Sequence, residues 1–163
     1  MKIVRAKGDD AAALSNIALS AKRHWRYPER WLEIWRESLT FRAEFIAKHE
    51  TYAAVVAGRT VGFYALRCEG SRGRLEHLWV LPDAMNQGVG RALFTHAVER
   101  AKILELQALE IESDPNADGF YQRLGARRVG VKMAELDGQL RELPVLVYDI
   151  VPASVGSQPP SLQ

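Results

Sequence analysis

A single cysteine, Cys68, occurs in 163 residues. No intrachain disulfide can form, and nothing points to an oxidising compartment. Cys68 falls in an apolar strand pattern and reads as a small buried core residue, not a nucleophile. Long apolar runs are missing too, so no membrane span is expected. Met1-Lys2-Ile3 leads straight into a strand and not into a signal peptide, which makes a cytoplasmic location the expectation. Charge of one sign is also scarce. The 22 Lys and Arg nearly balance the 20 Asp and Glu, leaving +2. Both signs are interspersed, which is not a nucleic-acid footprint. The mildly basic pI near 8.8 still suits a polyanionic ligand. His49, His77 and His96 lack metal-ligand spacing with any Cys or carboxylate pair, so no metal is expected. No internal repeat is present.

What is present suits one domain with one core, over residues 1–151. Residues 152–163 are rich in Ser, Pro and Gln, and a disordered tail is expected there. Ile3 to Ala6 reads as a strand. Asp9 or Asp10 caps a helix to about Arg23, with Leu14, Ile17, Ala18 and Ala21 on one face. Pro28 starts a second helix carrying Trp31, Leu32, Ile34 and Trp35. Phe41 to Ala47 allows a short helix. Thr51 to Ala57 and Thr60 to Cys68 form a hairpin about Gly58-Arg59. Glu69 to Gly73 reads as a turn and Arg74 to Val80 as a strand. A long helix spans Gln87 to Leu104, followed by a strand from Leu106 to Ser113 and a helix from Asn116 to Leu124. Arg127 to Leu136 and Glu142 to Ile150 make a last hairpin around Asp137-Gly138. This order predicts an α/β fold of the α+β kind, a mixed sheet flanked by helices.

The most informative stretch is Leu75-Glu76-His77-Leu78-Trp79-Val80-Leu81-Pro82, followed by Met85-Asn86-Gln87-Gly88-Val89-Gly90-Arg91-Ala92-Leu93. A buried strand ends at a proline, and two glycines stand where a polar loop becomes a helix. Backbone N–H groups and the positive end of a helix dipole then converge on one spot, which binds phosphate. Side chains at Gly88 and Gly90 are expected to obstruct that approach. Arg91-Ala92 stands where a nucleotide-triphosphate loop needs Lys-Ser/Thr. Leu93 stands where the dinucleotide fingerprint needs its third glycine.

The motif that remains, Met85-Asn86-Gln87-Gly88-Val89-Gly90, resembles the pyrophosphate loop of the GNAT superfamily of acyl-CoA-dependent N-acyltransferases, Gln/Arg-x-x-Gly-x-Gly/Ala. Met85 departs at the first position. Downstream, Leu109 to Ser113 alternates like a strand. Asp114 reads as the cap and Pro115 as the first residue of a short helix. Phe120-Tyr121-Gln122-Arg123-Leu124-Gly125-Ala126 is similar to the second family signature, A-x-x-F-Y-x-x-x-G-F, with Ala126 replacing an aromatic. The resemblance covers roughly residues 2 to 150. It implies a seven-stranded, mostly antiparallel sheet whose two central parallel strands, Arg74–Val80 and Leu106–Ser113, splay apart. It implies acetyl-CoA as acyl donor, with pantetheine lying along Leu78, Trp79 and Val80 like an added strand. Asn86, Gln87, Gly88, Val89, Gly90 and Arg91 would hold the phosphates. Asn116, Phe120, Tyr121 and Arg123 would complete the cofactor side.

Acyl transfer from a thioester to an amine needs an acid for the leaving thiolate, an oxyanion donor and a route for the amine proton. Tyr121 matches the family tyrosine that serves the departing sulfur, and a backbone N–H near Val80 matches the oxyanion donor. Glu76 shares a strand face with Leu78 and Val80. As a lone charge among apolar neighbours it would suit a general base. Glu112 is the rival, at the acceptor side. His24, Trp25 and Tyr27 lie in the interhelix segment that in this family covers the acceptor. The expectation is an N-acetyltransferase acting on a small-molecule primary amine in a ternary complex, and a homodimer through the last strand. The alternatives are a non-catalytic acyl-CoA-binding module and, less in keeping with the glycines, a nucleotide-binding module.

Overall fold

The computed structural model describes residues 1–151, and the expected tail lies outside them. The strands are β1 (Lys2–Arg5), β2 (Glu50–Val56), β3 (Arg59–Glu69), β4 (Arg72–Val80), β5 (Ala108–Glu112), β6 (Arg127–Leu136) and β7 (Gln139–Asp149). The helices are α1 (Ala11–His24), α2 (Glu29–Trp35), α3 (Ala43–Lys48), α4 (Val89–Ile103) and α5 (Asp118–Arg123). All seven strands join one sheet in the order β1-β2-β3-β4-β5-β7-β6. Every neighbouring pair is antiparallel except β4 and β5. Among the described residues no helix is long and apolar enough to cross a membrane.

Two helical layers cover the sheet. Phe63 of β3 meets Phe41 of the α2–α3 connection at 5.0 Å. The next residue, Tyr64, bonds His96 of α4 at 2.7 Å. Adjacent strand residues point to opposite faces, so α1 to α3 lie on one face and α4 on the other. Leu14, Ile17 and Ala18 of α1, Leu93, Phe94 and Ala97 of α4, and Leu109, Ile111 and Leu146 of the sheet are nearly inaccessible to water. Apolar burial of this extent is the main force holding the layers together.

β4 and β5 pair only at Arg72–Ala108, Gly73–Leu109 and Arg74–Glu110. From Leu75 onward β4 keeps its pairing with β3 while β5 continues against β7. The two strands thus diverge, as the motif resemblance implies. Arg72 and Gly73, read from sequence as part of a turn, are the strand residues that make this junction. Gly73 lets the side chains of Leu106 and Leu109 pack onto the strand, since a Cβ would meet their terminal methyl groups at 2.8 Å and they would have to shift. The β3–β4 register also slips, with Ala65 opposite His77 and Leu66 opposite Leu75. Glu76 is the extra residue of that bulge, which bends β4 and re-aims its side chains beside the opening.

Two expectations fail locally. Cys68 is exposed, because it stands near the end of β3, beyond the helices that cover the middle of the sheet. Partial desolvation nevertheless pushes its thiol pKa up, which keeps it a poor nucleophile. Asp114 does not cap α5. That helix begins at Asp118 with Ala117 as its cap residue, and the Asp114 carboxylate is used elsewhere.

Candidate active site

The divergence of β4 and β5 opens a cleft of about 460 Å³. Its walls are β4 from Leu75 to Val80, the loop and helix start around Asn86, Gly88, Gly90 and Arg91, and the segment from Glu112 to Arg123. His24 and Trp25 also line it. Most residues singled out in the sequence therefore share one cavity, although they come from four separate chain segments.

At the phosphate end, Gly88 adopts φ +83° and Asn86 φ +60°. The left-handed turn at Gly88 swings the chain into α4, and a Cβ built on Gly88 meets nothing within 4 Å. The first backbone bond of the helix runs from Ala92 N–H to Gly88 C=O. The N–H groups of Val89, Gly90 and Arg91 precede that bond and are left for a ligand. Gly90 serves a different purpose: its Cβ would meet Phe120 at 3.2 Å, so the glycine lets α4 approach α5. Gln87 and Val89 do not line the cleft with side chains. Gln87 donates back to Asp83 C=O at 3.0 Å, and Val89 is buried. Arg91 and Arg123 are exposed guanidinium groups at the cleft wall. Open space, free N–H groups and two cations together fit a pyrophosphate.

Along β4, Leu81 N–H donates to Val61 C=O at 2.8 Å. Backbone groups alternate along a strand, so those of Leu78 and Val80 face the opening and those of Trp79 face β3. Trp79 contributes its side chain instead. Its indole N–H donates to His77 Nδ1 at 3.1 Å, which leaves the proton of a neutral His77 on Nε2. Burial pushes the His77 pKa down to about 4, so the ring is neutral at pH 7.

Tyr121 is buried in the cleft wall, with Phe120 and Phe94 at ring distances of 5.1 and 5.9 Å. Burial, helped by the Asp114 charge, pushes its pKa well above the usual phenol value. The hydroxyl therefore holds its proton, as an acid must.

The carboxylates differ from expectation. Glu76 is not a lone charge: Arg67 Nε lies 3.4 Å from its Oε1. Glu112 lines the cleft, but it is engaged by Arg74 and by Lys132, the latter at 3.1 Å. Tyr27 does not line the cleft at all. It turns inward, and its hydroxyl lies 2.9 and 3.0 Å from the two Asp114 oxygens. The residues that sequence reasoning missed are Asp114, Lys22 and Arg141, which gather around that hydroxyl. One signal was readable. Lys22 continues the buried stripe of Leu14, Ala18 and Ala21, and a charge in an apolar stripe needs a partner. Asp114 and Arg141 are far away in sequence and offered no such signal. Among the described residues no three His, Cys, Asp or Glu side chains converge as a metal site.

A family model described as an acetyltransferase (GNAT) domain matches residues 14–138. The chain is 28% identical over 135 residues to the peptidyl-lysine N-acetyltransferase YjaB of Salmonella typhimurium, covering 72% of this chain and 88% of that protein. Its fold is similar to a GCN5-related N-acetyltransferase from Rhodopseudomonas palustris, with TM-score 0.78, 19% identity and coverage of 91% and 94% of the two chains. It is also similar to the PaiA N-acetyltransferase of Thermoplasma acidophilum, solved with coenzyme A, with TM-score 0.72, 17% identity and coverage of 91% and 98%. With the splayed strands and phosphate-accepting helix start already in place, the family match settles the assignment: this chain belongs to the GNAT acetyltransferases and is an acyltransferase with acetyl-CoA as its acyl donor.

Proposed function

We propose that the chain acetylates a primary amine directly, with acetyl-CoA and amine bound together in the cleft. The observation that carries this reading is that one cavity brings together the glycines of the phosphate-loop helix start, Tyr121, and His24 and Trp25. The pyrophosphate sits on Val89, Gly90 and Arg91 N–H, and the pantetheine pairs with the open edge of β4 at Leu78 and Val80. The amine nitrogen attacks the thioester carbonyl carbon, and the carbon–sulfur bond breaks. Tyr121 gives its proton to the departing thiolate, and Val80 N–H supports the developing oxyanion. The amine proton leaves through water towards Glu76, the carboxylate that β4 places in the cleft lining.

The acceptor in this reading is a small molecule that reaches the cleft past Trp25. The similarity to a protein named as a peptidyl-lysine acetyltransferase favours a second reading, in which the amine is a lysine side chain. A cytoplasmic location belongs to the same proposal, as does a homodimer. The last strand, β7, is paired on both sides by β5 and β6 and has no free edge, so the dimer is proposed through the edge strand β6 instead. Thiol release from acetyl-CoA over a panel of free amines and lysine peptides tests it. The expected result is turnover with at least one amine, together with a higher melting temperature in saturating acetyl-CoA and little change with ATP. A melting temperature that acetyl-CoA leaves unmoved would refute the binding mode. Thiol release that no amine accelerates would refute the acceptor class.

A further inference from the structure

At the acceptor end of the cleft, one buried carboxylate gathers groups from both sides. Lys22 Nζ of α1 lies 2.6 Å from Asp114 Oδ2. The Tyr27 hydroxyl, from the loop after α1, donates to the same carboxylate. Asn116 adds its backbone N–H at 2.8 Å and its side-chain amide at 2.9 Å. The Tyr27 oxygen in turn accepts from Arg141 of β7 at 3.1 Å and from Asn116 at 3.0 Å. That hydroxyl thus donates once and accepts twice, its full capacity. Aromatic rings surround the cations. Lys22 Nζ is 4.0 Å from the Trp35 ring centre, and Arg141 stands over Tyr27, Trp31 and Trp35 at 5.2 to 5.3 Å. Lys22 is only 9% exposed.

A buried ion pair is poor evidence for a stabilising role, because apolar side chains of similar volume commonly do as well. Directional bonds supply what apolar packing lacks, namely fixed relative position. The last residue of α1, His24, and Trp25 of the loop after it line the cleft, and Arg26 within that loop adopts φ +59°. The other side of the hub is the β5–α5 loop, which leads into the helix bearing Tyr121. We infer that Asp114 is a positioning residue, which through Lys22 and Tyr27 holds the Trp25 loop at a set distance from the Tyr121 helix and so fixes the width of the acceptor mouth. The inference rests on the acetyl-transfer reading above. Asp114 lines the cleft but acts through Tyr27 and Lys22, and takes no part in bond exchange.

Two variants test it. Tyr27→Phe removes one hydroxyl and keeps the ring. The double variant Lys22→Met/Asp114→Leu replaces the ion pair by apolar side chains. In both, acetyl-CoA affinity by titration calorimetry is expected to stay at the wild-type value. Amide hydrogen exchange over residues 23–29 is expected to rise in both. In Tyr27→Phe, which leaves the Asp114 charge beside Tyr121 in place, KM for the amine found in the panel is expected to rise about tenfold, with kcat changed much less. A merely structural role would lower the melting temperature without this split between KM and kcat. Wild-type exchange over residues 23–29 in Tyr27→Phe overturns the inference, whether or not the double variant folds. So does an unchanged KM. The exchange arm needs no amine, so a failure of the acetyl-transfer reading is seen in the wild-type protein and remains distinct from a failure of this one.

Discussion

Tyr121 and His77 show how burial sets chemistry in single side chains of this cleft. Burial and the Asp114 charge hold the Tyr121 proton, so the phenol is available as a donor when charge develops on sulfur. Tyr121→Phe removes that donor and preserves the ring packed against Phe94 and Phe120. Turnover is expected to fall by about 10²- to 10⁴-fold with coenzyme A affinity nearly intact. Steady-state rates and calorimetry on the same preparation check this, and an unchanged kcat withdraws the role. His77 makes a separate prediction about stability. Its folded pKa of about 4 lies below its ordinary 6.5, so the unfolded chain takes up this proton first. The stabilisation is complete above pH 6.5 and is lost as the pH falls to about 4, amounting to about 3 kcal/mol at most. His77→Gln is expected to flatten the fall in melting temperature across that window. A variant curve parallel to the wild type rules out this source.

At the scale of elements, the two loop glycines are needed for different reasons, although the phosphate-loop motif suggests a single one. Gly88 supplies a left-handed backbone in open space, and Gly90 supplies clearance for Phe120. Gly88→Ala is expected to lower stability by about 1 kcal/mol through its backbone and to weaken coenzyme A binding modestly. Gly90→Val presses on Phe120, beside Tyr121, and is expected to lower both the melting temperature and coenzyme A affinity more severely. Wild-type values of both in Gly90→Val would contradict this account. The strand, phosphate loop and long helix were legible because each has a local pattern: apolar alternation, a proline stop, glycines and a helical stripe. The junction at Arg72 and Gly73 was not, since glycine and arginine read as turn residues until Leu106 and Leu109 pack against them. Nor was the bulge at Glu76, which depends on the register of β3. The Arg67 partner that changes the character of Glu76 comes from the neighbouring strand, and no pattern within β4 announces it.

For the whole molecule, the two edges of the sheet are unequal. β1 has four residues, with Lys2 and Arg5 at its ends, and such short charged edges resist pairing. β6 has ten residues and exposes Val129, Val131 and Met133 at 49, 45 and 50%. Leu140, opposite Glu135 on β7, is 73% exposed. A long edge with an apolar row is a surface that a free monomer rarely leaves bare. Read antiparallel to itself about Val131, β6 sets Met133 against Val129 and Arg127 against Glu135 of a second copy. Both contacts occur twice, as a two-fold axis requires. The chain is accordingly predicted to sediment as a dimer. Val131→Lys places two ammonium groups face to face on the axis and is expected to give a folded monomer that still binds acetyl-CoA. Arg127 is the less clean handle, because it already meets Asp149 of its own chain at 3.2 Å. Sedimentation velocity over a range of concentrations decides the matter: a wild-type monomer at every concentration, or a Val131→Lys dimer as tight as the wild type, would show that β6 is not the contact.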